Sequence, residues 1–146
     1  MTTIFFDMDG TIANLYGVEN WLEMLTVTYD PFPYENAKPL LNLQALARVL
    51  NRLQREGFRI EIISWLAKDA PKHYDEAVTL AKLHWLSVHL HSVSFDKINI
   101  VEYGVDKDTF RHTDTDILFD DELKNRMGWG GQAFGVENII EILKAL

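Results

Sequence analysis

Short runs that are apolar along their whole length alternate with longer stretches of helical period, and this alternation restricts the chain more than any other feature. Ile4-Phe5-Phe6, closed by Asp7-Met8-Asp9-Gly10, reads as a strand buried on both faces that ends in a polar loop. From Pro39 onward, Leu43, Leu46 or Ala47, Leu50 and Leu53 recur at three- and four-residue spacing, until Gly57 stops the pattern as a helix C-terminal glycine does. Residues 58–65 predict a second strand, and Pro71 opens a helix whose inward face is Tyr74, Val78, Ala81, Trp85 and Val88. Residues 97–101, 117–119 and 132–135 predict three further strands, with a terminal helix over 136–146. Apolar strands separated by helices require a parallel sheet, because each crossover lays a helix over it. The predicted fold is α/β, a doubly wound, Rossmann-like parallel sheet, in which ligands bind at the carboxyl ends of the strands where the topology reverses.

At 146 residues the chain has room for one domain, given about 150 residues per domain. Twenty-two acidic and fourteen basic side chains leave a net charge of −8, the wrong sign for non-specific binding to a nucleic-acid backbone. With no cysteine there are no disulfides, thiolate metal sites or cysteine nucleophiles, a composition that fits the cytoplasm. Asp7 interrupts the N-terminal apolar run too early for a signal peptide, and no run reaches the roughly 20 residues of a membrane helix.

Residues 14–38 fall between the first strand and its crossover helix and are unusually aromatic, with Tyr16, Trp21, Tyr29, Phe32 and Tyr34. A short helix is expected from Val18 to about Tyr29, and Pro31 and Pro33 stiffen the return. The natural reading is a small cap on a single domain that spans residues 1–146. Its aromatics either pack the insert onto the body or form a platform for a base, a stacking contact that contributes about 1 to 3 kcal/mol. Exposed, they would also suit a contact between two copies of the chain.

Three strand ends carry acidic or hydroxyl residues that a structural loop does not need. Asp7 and Asp9 flank Met8, and residues two apart on an extended chain point the same way, about 6 to 7 Å apart at about 3.3 Å per residue. Gly10 lets the backbone turn or approach a ligand closely, and Thr11 sets a hydroxyl beside backbone amides that can hold an anion. Asp120 and Asp121 add two carboxylates at the end of the fourth strand. Four carboxylates in one crevice repel one another unless a cation is present, and an all-oxygen donor set favours Mg²⁺ over zinc.

Phe5-Phe6-Asp7-Met8-Asp9-Gly10-Thr11, the strand-end Ser64, a later lysine and Phe119-Asp120-Asp121 resemble, in order, the four motifs of the haloacid dehalogenase (HAD) superfamily of phosphotransferases. The small insert after the first motif, Ala37-Lys38-Pro39-Leu40 and Leu118-Phe119-Asp120-Asp121 are similar to its 5′(3′)-deoxyribonucleotidase-like branch. The resemblance implies a Mg²⁺-dependent phosphomonoester hydrolase that acts through an aspartyl-phosphate. Asp7 would be the nucleophile and Asp9 the acid and base, with Asp7, the Asp9 backbone carbonyl and Asp120 or Asp121 around the metal. Gly10, Thr11, Ser64 and a lysine would bind phosphate. Lys107 suits that role better than Lys97, because a lysine that starts a strand lies at the amino edge of a parallel sheet. Nucleotides or similar small phosphate esters are the expected substrates. A nucleic-acid end, a phosphoprotein or phosphate binding without turnover are the alternatives.

A receiver module also clusters acids, Mg²⁺, a hydroxyl and a lysine, but it needs an acceptor Asp at the end of an interior strand. Here the second strand ends in Ser64-Trp65 and the third in Glu102-Tyr103. His84, His89, His91 and His112 could suggest a metal site, but His89 and His91 lie two apart with no acidic partner nearby in sequence, and isolated histidines are commoner than ligands. Glu61 lies among Ile60, Ile62 and Ile63, where Arg59 or an edge position would have to explain its charge. Gly128-Trp129-Gly130-Gly131 reads as a flexible connector to the fifth strand.

Overall fold

A computed structural model describes all residues, Met1–Leu146. Its main sheet is built from β1 (Thr3–Phe6), β4 (Arg59–Trp65), β5 (Lys97–Val101), β6 (Ile117–Phe119) and β7 (Gln132–Phe134), in the spatial order β5-β4-β1-β6-β7. Every pairing in it is parallel. From β1 the chain steps outward through β4 to β5, then returns to the other side of β1 for β6 and β7. The direction of winding therefore changes between β1 and β6, the place where an open α/β sheet leaves a crevice.

Register aligns the strand ends around that crevice. Phe6 pairs with Ile62 on one side and Phe119 on the other. The backbone N–H of Asp7 donates to the Phe119 carbonyl at 3.0 Å, so the residues that follow β1 and β6 emerge together. The central strand is apolar on both faces because both are covered. Ile4 and Phe6 join a core with α3 (Leu43–Arg55), α4 (Lys72–His89) and α6 (Ile139–Lys144). Phe5 points to the opposite face, with Ile63, Leu118 and Trp129. No helix is long and apolar enough to cross a membrane.

Helix α3 begins later than the sequence pattern implies. Pro39 belongs to β3 (Lys38–Pro39), which pairs antiparallel with β2 (Ala13–Asn14), and the helix starts at Leu43, where the Asn42 side chain accepts from Ala45 N–H at 3.0 Å. Between β2 and β3 lie α1 (Trp21–Thr26), shorter than expected, and an unexpected turn of helix, α2 (Phe32–Asn36). Pro31 is the N-cap of α2 and Pro33 sits in its first turn, where a missing N–H costs nothing. Leu15, Leu25 and Tyr34 pack on Tyr74, Val78 and Ala81 of α4. Two hydrogen bonds add to that contact: the Tyr74 hydroxyl donates to the Asp30 carbonyl at 2.9 Å, and Trp85 Nε1 donates to the Ala37 carbonyl at 2.8 Å.

The inward face of α4 also differs from the expected one. Val88 is exposed, and Lys82 and Leu86 are buried with Tyr74, Val78, Ala81 and Trp85. Four-residue steps from Val78 run through Lys82 and Leu86 to the buried Leu90, so the stripe that faces the body bends away from Val88. The terminal helix starts at Ile139 rather than Val136. Trp129, expected in a flexible connector, is fully buried after α5 (Leu123–Gly128), packs edge-on against Phe5 and donates from Nε1 to the Asp116 carbonyl at 3.0 Å. Glu61 is not at an edge: β4 lies between β1 and β5, and the buried carboxylate is held by Arg59, Asn99 and His112 at 3.2, 3.1 and 2.7 Å.

Candidate active site

The loop after β1 turns at once. The Met8 carbonyl accepts from the N–H groups of Thr11, Ile12 and Ala13, which curls residues 8–13 beneath the strand end. Gly10 makes this possible with a φ of +81°, and a Cβ there would collide with the Asp121 carboxylate and the Tyr16 ring. The curl brings Thr11 back to Asp7: its hydroxyl donates to Asp7 Oδ2 at 2.9 Å and accepts from Asp121 N–H at 3.2 Å. One short loop thus joins the ends of β1 and β6.

Lys107 lies in the single turn of 3-10 helix that follows the β5 end, and it is buried despite its charge. Its ammonium is 2.9 Å from Asp7 Oδ1 and 2.7 Å from Asp120 Oδ2. Burial pulls that ammonium down, but the two carboxylates outweigh it and hold it above the ordinary lysine range. Lys97 is exposed at the start of β5, the opposite edge of the sheet. Asp120 is wholly buried and accepts three further hydrogen bonds, from Glu122 N–H at 2.9 Å, Asn125 Nδ2 at 3.1 Å and, at its backbone carbonyl, Arg126 at 2.9 Å.

Asp121 has no cation of its own. Burial, then the neighbouring charge of Asp7, pushes its carboxyl up to about 8. Burial and Asp7 raise Asp120 as well, against the pull of Lys107. Carboxylate oxygens of Asp7, Asp120 and Asp121 lie within 4.8 Å of one another. A cluster of hard oxygen donors that carries more negative charge than its single ammonium neutralises fits Mg²⁺ well. Asp9 is set apart from this group: its carboxylate faces Lys82, while its backbone bridges to Ala13 within the curl.

Lys82 is the residue that sequence reasoning missed. Its side chain is 1% exposed, and Nζ donates to Asp9 Oδ2 at 3.0 Å, Ser64 Oγ at 2.5 Å and the Trp65 carbonyl at 2.6 Å. The signal was its position four residues after Val78 on the buried stripe of α4, where a lysine needs fixed acceptors. Ser64 is also fully buried at the end of β4.

Above the carboxylates opens a cavity of about 310 Å³ whose floor includes Asp7, Asp9, Lys107 and Asp120. Its walls are mainly apolar and aromatic: Tyr16, Trp21, Leu25 and Tyr34 come from the insert, Trp65 and Tyr103 from the ends of β4 and β5. Trp65 and Tyr103 are tilted rings with centroids 5.0 Å apart, and Trp65 Nε1 donates to the Val105 carbonyl at 2.9 Å. The predicted residues Asp7, Asp9, Gly10, Thr11, Lys107, Asp120 and Asp121 come together around this floor, and Ser64 lies behind it through Lys82.

No family model matches the sequence, and no curated protein matches it. Solved structures do. D,D-heptose 1,7-bisphosphate phosphatase from Burkholderia thailandensis superposes with a TM-score of 0.52 at 15% identity, over 90% of this chain and 75% of that one. The enzyme of the same name from B. bronchiseptica, complexed with magnesium and phosphate, gives 0.52 at 15% identity over 91% and 78%. A chain of the Pnkp1/Rnl/Hen1 complex gives 0.56 at 17% identity, over 92% of this chain and 45% of that one. The likeness is one of fold, which is HAD-like. Within the HAD fold the acids and Lys107 occupy the strand-end crevice, and the insert between β2 and β3 forms one side of its mouth.

Proposed function

We propose that the chain is a Mg²⁺-dependent phosphomonoester hydrolase that works through an aspartyl-phosphate on small esters whose leaving group carries an aromatic or apolar body, nucleotides above all. The observation that carries this reading is the setting of Asp7: one carboxylate oxygen faces Lys107 and the other Thr11, on the floor of an aromatic-walled cavity. Fixed at both oxygens, the carboxylate is aligned for in-line attack on a phosphorus atom above it.

In the first step a carboxylate oxygen of Asp7 forms a bond to phosphorus, the ester P–O bond breaks, and the leaving alkoxide takes a proton from Asp9. Water then attacks phosphorus and gives its proton to Asp9, the bond to Asp7 breaks, and inorganic phosphate departs. Splitting the hydrolysis in two replaces one very slow step with two faster ones. Lys107 offsets negative charge on the phosphoryl oxygens as it develops. Mg²⁺, held by Asp7, Asp120 or Asp121 and the Asp9 backbone carbonyl, would screen the approach of an anionic nucleophile to an anionic ester. The insert, residues 14–38, acts in this reading as a cap on the body of the domain. Its aromatic wall suits a flat leaving group.

Phosphate release from nucleoside 5′- and 3′-monophosphates, sugar phosphates and a 5′-phosphorylated oligonucleotide, with Mg²⁺ or a chelator, tests the proposal against an Asp7→Asn blank. Release that needs both Mg²⁺ and Asp7, fastest with a mononucleotide, is expected. Preference for a sugar phosphate or the oligonucleotide would withdraw the substrate class, and no release above the blank would withdraw the activity.

A further inference from the structure

Lys82 carries an inference that rests on the phosphatase reading and extends it. A buried lysine is costly unless its charge and its donors are matched. Here all three N–H bonds of the ammonium have acceptors: Asp9 Oδ2 at 3.0 Å, Ser64 Oγ at 2.5 Å and the Trp65 carbonyl at 2.6 Å. The ring of Tyr34, from the insert, lies over the ammonium with its centroid 5.1 Å away, which shields it from water. Lys82 therefore has no donor left for a substrate, and it acts through the two groups it holds.

We infer that Lys82 is a positioning residue that locks Asp9 and Ser64 into their working orientations. The serine hydroxyl has one hydrogen and two lone pairs. Because the ammonium occupies a lone pair of Ser64 Oγ, the hydroxyl hydrogen must point elsewhere, and Ser64 donates no hydrogen bond within the protein. Its free capacity is as a donor, the role an anionic phosphoryl oxygen requires. The same ammonium holds one oxygen of Asp9 and leaves the other for the leaving group and the attacking water. A neutral apolar side chain at this position would free both rotors. Helix α4 supplies the lysine at the level where Tyr34 meets it, so the seating of the insert and the alignment of the acid–base group share one side chain.

The test is Lys82→Met, close in length and without charge, followed by phosphate release from the preferred substrate of the panel above and by thermal unfolding. General acid–base alignment is worth about 10² to 10⁴ in rate, so kcat should fall about 100-fold or more while KM moves by less than about threefold. The loss caused by Ser64→Ala should be much smaller in the Lys82→Met background than in the wild type, because residues that act through one another are not additive. A lysine with a merely structural role would instead lower the melting temperature, leave kcat per folded molecule unchanged and give multiplicative losses with Ser64→Ala; that pattern overturns the inference. Should Lys82→Met not fold, Lys82→Gln takes its place with the same two expectations. A wild-type chain that releases no phosphate above the Asp7→Asn blank overturns the phosphatase reading and the role of Lys82 with it, whereas an active wild type with an unaltered kcat in Lys82→Met or Lys82→Gln overturns only the role of Lys82.

Discussion

Asp116 lies fully buried just before β6, and its carboxylate accepts from the N–H groups of Thr3, His112 and Thr113 at 2.8, 2.7 and 3.0 Å and from the Thr113 hydroxyl at 2.7 Å. Burial alone would raise its pKa, but these four donors outweigh it and hold the carboxyl below the ordinary aspartate value. The unfolded chain then binds this proton at a higher pH than the folded chain does. The stabilisation from this group is complete above the unfolded value of about 3.9 and fades as pH falls through the folded one. Asp116→Ala should cost about 2 to 4 kcal/mol in urea unfolding at pH 7, since it leaves buried donors unpaired, and the deficit should shrink in titrations taken below about pH 4. Gly10→Ala meets both a positive φ and the Asp121 carboxylate, so phosphate release should drop by at least about tenfold, the equivalent of about 1.4 kcal/mol of misplaced geometry. An unaffected rate would show that the tight curl after β1 is dispensable. Glu61 was legible as an anomaly, a charge inside a strand, but its partners Asn99 and His112 lie 38 and 51 residues away in the chain, and no local pattern points to them.

Elements pose the problem of what holds a thin layer. On the face opposite α3 and α4, Phe5, Ile63, Leu118 and Trp129 form a core of only four buried residues. Trp129 is its largest member, so Trp129→Ala should cost about 3 to 5 kcal/mol in denaturant unfolding. A cost below about 1 kcal/mol, the level of a surface change, would mean that this face is held by the loops around it. The glycines beside Trp129 suggested a connector, and they do flank a turn. The tryptophan between them anchors it by packing edge-on over Phe5, beside the stacked His112 ring. Strands were the most readable elements, since a run such as Ile4-Phe5-Phe6 has no amphipathic alternative. The insert was less so: Pro31 and Pro33 read as breakers, yet proline also suits the first turn of a helix, and contact with α4 selects that use.

For the molecule as a whole, the acid cluster and the net charge of −8 predict that metal is a stability variable. Anything that binds only the folded state stabilises it, by about 2.7 kcal/mol at a hundredfold excess over Kd. Added Mg²⁺ should therefore raise the melting temperature of chelator-treated protein, and Asp121→Asn should reduce the shift. An equal shift in wild type and a triple Asn variant at Asp7, Asp120 and Asp121 would place the ion elsewhere. The order of strands and helices around the main sheet, its parallel pairing and the acidic strand ends could be read from residues alone, because each depends on a neighbour within a few positions: a hydrophobic period, a capping glycine, two carboxylates that flank one methionine. The partners of the site lie farther apart. Lys107 reaches Asp7 across 100 residues of chain, and Lys82 reaches Asp9 across 73. Such pairs form only when the sheet brings the ends of β1, β4, β5 and β6 to one edge and packing turns α4 so that Lys82 faces inward. Long-range packing selects which lysine is buried, and that selection turns a readable row of acids into an arranged site.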